Sequence, residues 1–473
     1  MSKLVSGAAI LLRFPQRARR MSVSTFRPAV VSLSRRWFSA QAATQARQAE
    51  AEKHEVQVTK LPSGLTVASL ENNSPVSRLA VIVKAGSRYE GIDNLGASHC
   101  LRAFGHLTTS GASALSITRG LEEVGGSLET STTREHVTYS VQCLRDNLDT
   151  GMFYLKNVST GQEFRPWEVK DNNERLLFDL ACYKDQLQLN VMEQLHSAAY
   201  RDTLGQSIYA PEYMVGKHST QMLKDFATSR FTADNMALVG VGVDHSDLKA
   251  FGESFDLQRG DPSTPAAKYS GGELRNQCDS PLAYAAVGVE GANLTGKDLL
   301  VTGILHQLMG SAPYIKRGSN LATSKASQAA SKASSLPHAV NCFNLPYSDS
   351  GLFGFFAITQ PNDMAPVLKS LLGQFGAMTK GNVGAQDLQR AKNQLKAAVF
   401  MNLENQGALL EDMAVQALHS GSYVNAAAVA KAVDGITAED VSRVAKRIFN
   451  GKSSMAASGN LINTPYMDQL LTS

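Results

Sequence analysis

The chain has 473 residues and a formal net charge of +4, a length that predicts two or three domains. A hydrophobic fraction of 43% and a charged fraction of 19% exclude extended disorder and collagen-like structure. No apolar run reaches the roughly 18 residues that a membrane-spanning helix needs, so we expect membrane association to go through partner proteins. Five scattered cysteines without a CxxC pair argue against a disulfide framework and a cysteine zinc site, and they suit a reducing compartment.

The basic charge of the chain is concentrated at its N-terminus. Residues 1–38 contain eight Lys and Arg residues and no acidic residue, which leaves 38 basic and 42 acidic side chains for the rest of the chain. This balance gives no support to nucleic-acid binding. An Arg-rich, Ser-rich, acid-free segment is typical of a mitochondrial transit peptide. We predict a transit peptide at 1–38, cleaved near residues 36–40, and a polar segment at 39–54; the alternative is a disordered basic tail.

From residue 55 onward, strand and helix patterns alternate along the chain. Short β patterns at 55–61 and 65–70 flank Pro62-Ser63-Gly64. They predict a hairpin, because proline presets one φ and glycine permits a positive φ. An Ala/Ser/Lys-rich stretch at 325–335 is interpreted as an exposed loop or a weak helix. The other periodic segments predict strands at 78–85 and 136–143 and helices at 95–107, 117–124 and 167–200. Gly125-Gly126 is expected to stop the second of these helices.

Two sequence patterns occur twice and in the same order. The pattern Leu-His-Ser-x-x-Tyr at 195–200 recurs at 418–423, and residues 219–231 align without gaps to residues 437–449. Each of the second pair begins with an N-cap hydroxyl and is followed by Met-Ala and a short glycine-bearing strand. Two ordered matches predict a duplicated α+β domain.

A Gly/Pro/Ser-rich region between the two copies has the composition of a linker. We therefore predict an N-terminal domain at 55–258, a linker at 259–279 and a C-terminal domain at 280–473.

Five segments of the chain, taken in order, form a specific set: LPSGLTV (61–67), KAGSRYE (84–90), NLGASHCLRAF (94–104), LEEVGGSLETSTTREHVTYSVQC (121–143) and LHSAAY (195–200). Together they resemble the pitrilysin-type metallopeptidases, in the branch of the mitochondrial processing peptidase. The resemblance runs from about residue 55 to the C-terminus. It implies an α+β fold of two homologous domains, each a mixed β-sheet covered by helices, facing each other across a cavity.

Active members of this family carry a zinc motif, His-x-x-Glu-His, on the first long helix, together with a distant glutamate. The two histidines point the same way off the helix and can share one Zn²⁺, while the glutamate accepts a proton from zinc-bound water. Here residues 99–103 read His-Cys-Leu-Arg-Ala. Arg102 stands at the general-base position and cannot accept a proton, and Ala103 replaces the second ligand. Asp179 aligns near the distant glutamate, within a few positions.

The remaining histidines do not rebuild the motif. His106 lies two helical turns beyond His99, about 10.5 Å along the axis, which is too far for both to bind one zinc. We interpret His99 as a helix histidine satisfied by local hydrogen bonds. His196 and His419 occupy equivalent points of the repeat and are interpreted as scaffold. We therefore expect no catalytic, cofactor-binding or metal site, and no bound cofactor.

The second half contains the segments KRGSN (316–320), YSDSGLFGF (347–355) and SMAASGNL (454–461). These three segments resemble core proteins of the mitochondrial cytochrome bc1 complex (complex III). This resemblance implies a non-catalytic structural subunit, peripheral on the matrix side of the mitochondrial inner membrane. The implied partners are core protein 1, cytochrome b, cytochrome c1 and the Rieske iron–sulfur subunit. The redox centres that pass electrons from ubiquinol to cytochrome c would belong to those partners.

The main alternative is a zinc-free subunit of a mitochondrial presequence-processing peptidase. Such subunits carry a dense glycine loop in the second domain, whereas residues 308–320 contain two glycines separated by bulky residues. A backbone that slides against a peptide favours consecutive glycines. The catalytic subunit of that peptidase is disfavoured by Arg102 and Ala103. A third interpretation is a free matrix module that binds peptides in the cavity.

Overall fold

The structure is a computed structural model that describes residues 55–260, 264–310, 324–381 and 383–471. The predicted transit peptide, the polar segment at 39–54, KRGSN and most of the loop at 308–320 therefore lie outside the described residues. The described residues between 55 and 471 belong to one compact unit. None of the described helices is both long enough and apolar enough to cross a bilayer.

A six-stranded mixed sheet is the centre of the first half. Its strands are β1 (Gln57–Lys60), β2 (Thr66–Leu70), β3 (Val76–Val83), β4 (Ser127–Thr132), β5 (Val137–Leu144) and β6 (Met236–Val241). They lie in the order β1-β2-β6-β3-β5-β4, with β6 parallel to β2 and antiparallel to β3. The predicted hairpin is confirmed: β1 and β2 pair antiparallel, and Gly64 in the turn has a φ of 105°.

Eight helices of the first half are described: α1 (Ala97–Ala103), α2 (Ala114–Glu123), α3 (Leu148–Thr160), α4 (Pro166–Asp171), α5 (Asn173–Asp185), α6 (Leu187–Tyr200), α7 (Thr220–Arg230) and α8 (His245–Glu253). The predicted helical region 167–200 is confirmed as α4 to α6. Helix α1 is shorter than the predicted 95–107 at both ends. It begins after the left-handed N-cap Gly96, with a φ of 88°, and its C-cap is Phe104. Beyond α2, the left-handed Gly125 ends the helix as expected.

The second half repeats this sheet with one strand fewer. Its strands are β7 (Glu273–Gln277), β8 (Ala283–Glu290), β9 (Ala339–Pro346), β10 (Gly351–Thr359) and β11 (Ser453–Gly459). In the order β7-β11-β8-β10-β9, the last strand of the chain is again parallel to one neighbour, β7, and antiparallel to the other, β8. The shared order supports the predicted duplication. Strand β7 falls inside the predicted linker 259–279. This part of the predicted linker is therefore paired with β11 in the second sheet.

The helices of the second half are α9 (Leu299–Met309), α10 (Lys325–Ala333), α11 (Met364–Thr379), α12 (Ala385–Glu404), α13 (Gln406–Ser420), α14 (Ala426–Asp434), α15 (Ala438–Phe449) and α16 (Met467–Leu471). Of the two alternatives predicted for 325–335, the structure has the helix, α10, and not the exposed loop. Its Ala326, Ala329 and Ala330 are buried in the core of the second half. Small side chains let this helix pack closely against α11.

One helix of each half packs against the sheet of the other half. On β3, Leu79, Val81 and Val83 face the helices of their own half, whereas Ala80 and Ile82 face α13 from the second half. This alternation follows from the two-residue period of a strand. Reciprocally, α6 of the first half packs on β8 and β11 of the second sheet. Neither sheet can therefore bury both of its faces within its own half.

Candidate functional site

Helix α1, which carries the zinc-motif positions, is held at its N-terminus by Glu90. The Glu90 carboxylate accepts hydrogen bonds from the backbone N–H groups of Gly96 (2.7 Å) and Ser98 (2.8 Å) and from the Ser98 hydroxyl (2.6 Å). These bonds satisfy backbone donors that the first turn of a helix leaves free. Burial raises the pKa of Glu90 to about 7, against the opposing effect of these three hydrogen bonds.

His99 is fully buried, and both of its ring nitrogens have partners. The backbone N–H of Ala210 donates to Nδ1 at 3.2 Å, so the ring proton lies on Nε2, which donates to Asp179 Oδ2 at 3.2 Å. Burial, assisted by the positive charge of Arg102, lowers the pKa of His99 to about 4. The imidazole is therefore neutral at physiological pH, and its one lone pair faces Ala210.

The hydrogen-bonding partners of His99 differ from the expected local ones. Asp179 and Ala210 lie 80 and 111 residues further along the chain. The alignment that brought Asp179 near the family's distant glutamate agrees with its position next to His99.

Arg102 fills the space beside that histidine. Its Nη2 is 2.9 Å from Asp179 Oδ2, and its guanidinium carbon lies 5.6 Å from the centre of the Tyr209 ring. Tyr209 in turn stacks on Tyr183, with 4.5 Å between ring centres. One carboxylate thus receives hydrogen bonds from both the imidazole and the guanidinium, and it serves as their shared acceptor.

The cavity next to this cluster has a volume of about 330 Å³. It is lined by Arg102, Ala103, His106, Arg175 and Asp179, among others. The carbonyl of Ala103 accepts a hydrogen bond from Arg175 Nη1 at 3.0 Å. The guanidinium groups of Arg102 and Arg175 outnumber the one carboxylate, that of Asp179, so the lining of the cavity carries a net positive charge. The lone pair of His99 points towards Ala210. These residues do not fit a zinc ion.

His196 and His419, predicted as scaffold, both lie where the halves meet. His196 Nδ1 donates to the carbonyl of Met192 (2.7 Å), so its Nε2 accepts from the Tyr347 hydroxyl of the second half (2.8 Å). His419 of the second half lies with Nε2 2.7 Å from Nε2 of His136 in the first half. In both exchanged helices, α6 and α13, the histidine thus contacts a turn between two strands of the other half's sheet.

A buried ion cluster, which no motif in the sequence indicates, lies at this junction. The Arg88 side chain is 1% exposed, and its Nη1 donates to Glu135 Oε1 (2.7 Å) and to Asp349 Oδ1 (2.7 Å). Its Nη2 pairs with Asp349 Oδ2 and donates to the carbonyl of Pro265 (2.9 Å). Ser348 also donates to Glu135 through its backbone N–H and its hydroxyl. Arg88 and Glu135 lie in the family-like segments 84–90 and 121–143, 47 residues apart in the sequence.

Comparison with known proteins agrees with the two-part architecture. The family model of Insulinase (Peptidase family M16) matches residues 66–212, and that of the Peptidase M16 inactive domain matches residues 218–395. The chain belongs to peptidase family M16.

Within that family, the chain is similar over most of its length to a respiratory-complex subunit. It is 44% identical over 418 residues to cytochrome b-c1 complex subunit 2, mitochondrial, of Homo sapiens, covering 88% of this chain and 92% of that protein. The identity to the same subunit of Rattus norvegicus is 42% over the same shares. Mitochondrial-processing peptidase subunit alpha of Solanum tuberosum is 28% identical, covering 88% of this chain and 84% of that protein.

Proposed function

We propose that this chain is a non-catalytic structural and assembly subunit of the mitochondrial ubiquinol–cytochrome c oxidoreductase, complex III, in the role of core protein 2. The observation that carries the proposal is the 44% identity to cytochrome b-c1 complex subunit 2 over nearly the full length of both chains. The processing-peptidase alternative has a similar coverage but an identity of 28%. An identity of 44% over 88% of this chain favours a shared assembly role.

The proposed location is the matrix side of the mitochondrial inner membrane, with membrane attachment through partner subunits. The partners in this proposal are core protein 1, cytochrome b, cytochrome c1 and the Rieske iron–sulfur subunit. Electron transfer is assigned to the redox centres of those subunits. The chain would contribute rigid packing surfaces, a role that suits two halves joined by exchanged helices and a buried ion cluster.

The absence of peptidase activity is part of the proposal, and its physical basis is the charge beside His99. A cation about 5 Å from a Zn²⁺ ion raises the energy of that ion by roughly 7 kcal/mol at an effective dielectric constant of 20. Arg102 supplies such a cation, and its hydrogen bond to Asp179 also occupies the nearest carboxylate. Ala103 has no donor atom for a metal. The site therefore lacks both a general base and a second imidazole.

Native fractionation of mitochondria tests the assembly role. Mild detergent extracts are separated on a native gel, and the tagged chain is compared with the haem signals of b- and c-type cytochromes. We expect the chain to migrate with both haems in one large membrane complex. A soluble heterodimer that cleaves presequence peptides would instead support the processing-peptidase alternative and would contradict the proposal.

A further inference from the structure

The junction between the two halves brings together three side chains that are far apart in sequence. Glu135 and His136 lie in the turn between β4 and β5, and His419 lies near the C-terminal end of α13, 283 residues after His136. One potential ligand atom from each residue lies within 4.8 Å of the other two. Glu135 and His136 are buried, and His419 is half-buried.

The donor set of this cluster is the one that transition metals prefer. Two imidazole nitrogens and one carboxylate oxygen make a His₂Glu set, which suits Zn²⁺ and related ions and leaves a fourth tetrahedral position for water. Mg²⁺ and Ca²⁺ prefer all-oxygen surroundings. The proximity of the three residues is produced by the helix exchange, because α13 crosses from the second half onto the first sheet.

The distance between the imidazoles is close to that of two ligands on one ion. The two Nε2 atoms are 2.7 Å apart, a separation at which a single proton is shared in an N–H···N hydrogen bond. Two nitrogens bound tetrahedrally to zinc at 2.0–2.1 Å lie about 3.3 Å apart. Replacement of the shared proton by zinc therefore requires the rings to separate by about 0.6 Å, a shift that side-chain torsions can supply.

The charges around the cluster also permit a cation. Glu135 Oε1 is paired with Arg88, but Oε2 accepts a hydrogen bond from the Ser348 backbone N–H (3.0 Å) and keeps a further lone pair. Arg88 is contacted by two carboxylates, those of Glu135 and Asp349, so these three side chains carry a net charge of −1. The Lys84 ammonium acts against a positive charge on both histidines, and the Arg88 guanidinium does so on His419. Counted together, Lys84, Arg88, Glu135 and Asp349 carry no net charge.

We propose that Glu135, His136 and His419 form a binding site for one divalent transition-metal ion of the zinc class, which bridges the two halves of the chain. The ion replaces the proton between the imidazoles and takes water as its fourth ligand. This site departs from the expectation that the chain has no metal site, and it is separate from the zinc-motif positions on α1. It does not depend on the proposed role in complex III.

The test uses the purified full chain after treatment with a chelator. Calorimetric titration with Zn²⁺ is expected to give one ion per chain, and titration with Co²⁺ the visible absorption of a tetrahedral nitrogen/oxygen site. His419→Gln and His136→Gln are each expected to weaken binding by at least about 100-fold, since a ligand matters at least as much as a residue that orients one. Asp179→Asn, at the zinc-motif cluster, and His338→Gln, at a histidine outside the junction, should bind as the wild type does.

Folding of the variants is checked by far-UV circular dichroism and by their melting temperatures without metal. X-ray absorption of the zinc-loaded wild-type chain gives a readout that needs no variant, and two imidazole ligands are expected. The proposal is overturned if the wild type binds no zinc at millimolar concentration, or if folded His419→Gln keeps wild-type affinity. Loss of binding in Asp179→Asn, or sulfur ligands in the absorption spectrum, would equally overturn it.

Discussion

Replacing Arg88 by methionine tests whether the buried ion cluster holds the two halves together. Methionine keeps most of the side-chain length but removes the hydrogen bonds to Glu135, Asp349, Ser348 and Pro265. The Arg88 and Glu135 side chains are 1% and 5% exposed, so the substitution leaves a carboxylate in a dry environment.

The expected cost follows from that burial. Removing one partner of a buried ion pair typically costs about 3–5 kcal/mol, because the other charge is left uncompensated. The Asp349 side chain is 34% exposed and can be hydrated after the change, whereas Glu135 cannot. Most of the loss therefore comes from Glu135. A loss of about 4 kcal/mol lowers the folding equilibrium constant roughly a thousandfold.

The measurement is equilibrium unfolding in urea, with Arg145→Met as the matched control. Arg145 pairs with Glu71 at the surface, where its side chain is 37% exposed, and such pairs contribute about 0–1 kcal/mol. Adding Glu135→Gln to Arg88→Met removes the stranded charge and should recover part of the loss. The reasoning is refuted if Arg88→Met and Arg145→Met lower the free energy of unfolding equally.

Three further changes probe the zinc-motif helix and the helix exchange. Arg102→Glu with Ala103→His should bind one zinc per chain more than the wild type in a calorimetric titration, and Ala103→His alone should not. Leu195→Ala, at a fully buried site of α6, should lower the free energy of unfolding by about 2–5 kcal/mol and keep a single unfolding transition. Leu189→Ala, at an exposed site of the same helix, should lower it by under about 0.5 kcal/mol. Two separate transitions for Leu195→Ala would contradict the exchange of helices. The pKa of His99, lowered from 6.5 to about 4, makes the folded state bind fewer protons than the unfolded state between these values. Stability is therefore fully present above pH 6.5 and falls by up to about 3 kcal/mol towards pH 4, with His99→Gln giving a shallower profile in urea unfolding.

Local patterns in the sequence were sufficient for the features that depend on neighbouring residues. The hairpin around Gly64, the stop of α2 at Gly125 and the hydroxyl caps of α7 and α15 all follow from backbone conformations that a few adjacent residues determine. The loss of the general base and of the second zinc ligand was also predictable, because the side chains of Arg102 and Ala103 cannot take these roles in any fold. The duplication of an α+β domain was predicted because its two copies kept similar sequence patterns, whereas the shared strand order came from the structure.

Tertiary structure alone decided the features that join distant residues. The alanines of α10 are weakly hydrophobic, and their burial depends on the helix that packs against them. The partners of His99 and the contact between His136 and His419 span 80 to 283 residues. Periodicity reports which face of a helix is apolar but not which sheet covers it, and so α6 and α13 gave no sign that they exchange halves. The contact between His136 and His419, on which the proposed metal site depends, exists because that exchange places the turn between β4 and β5 against α13.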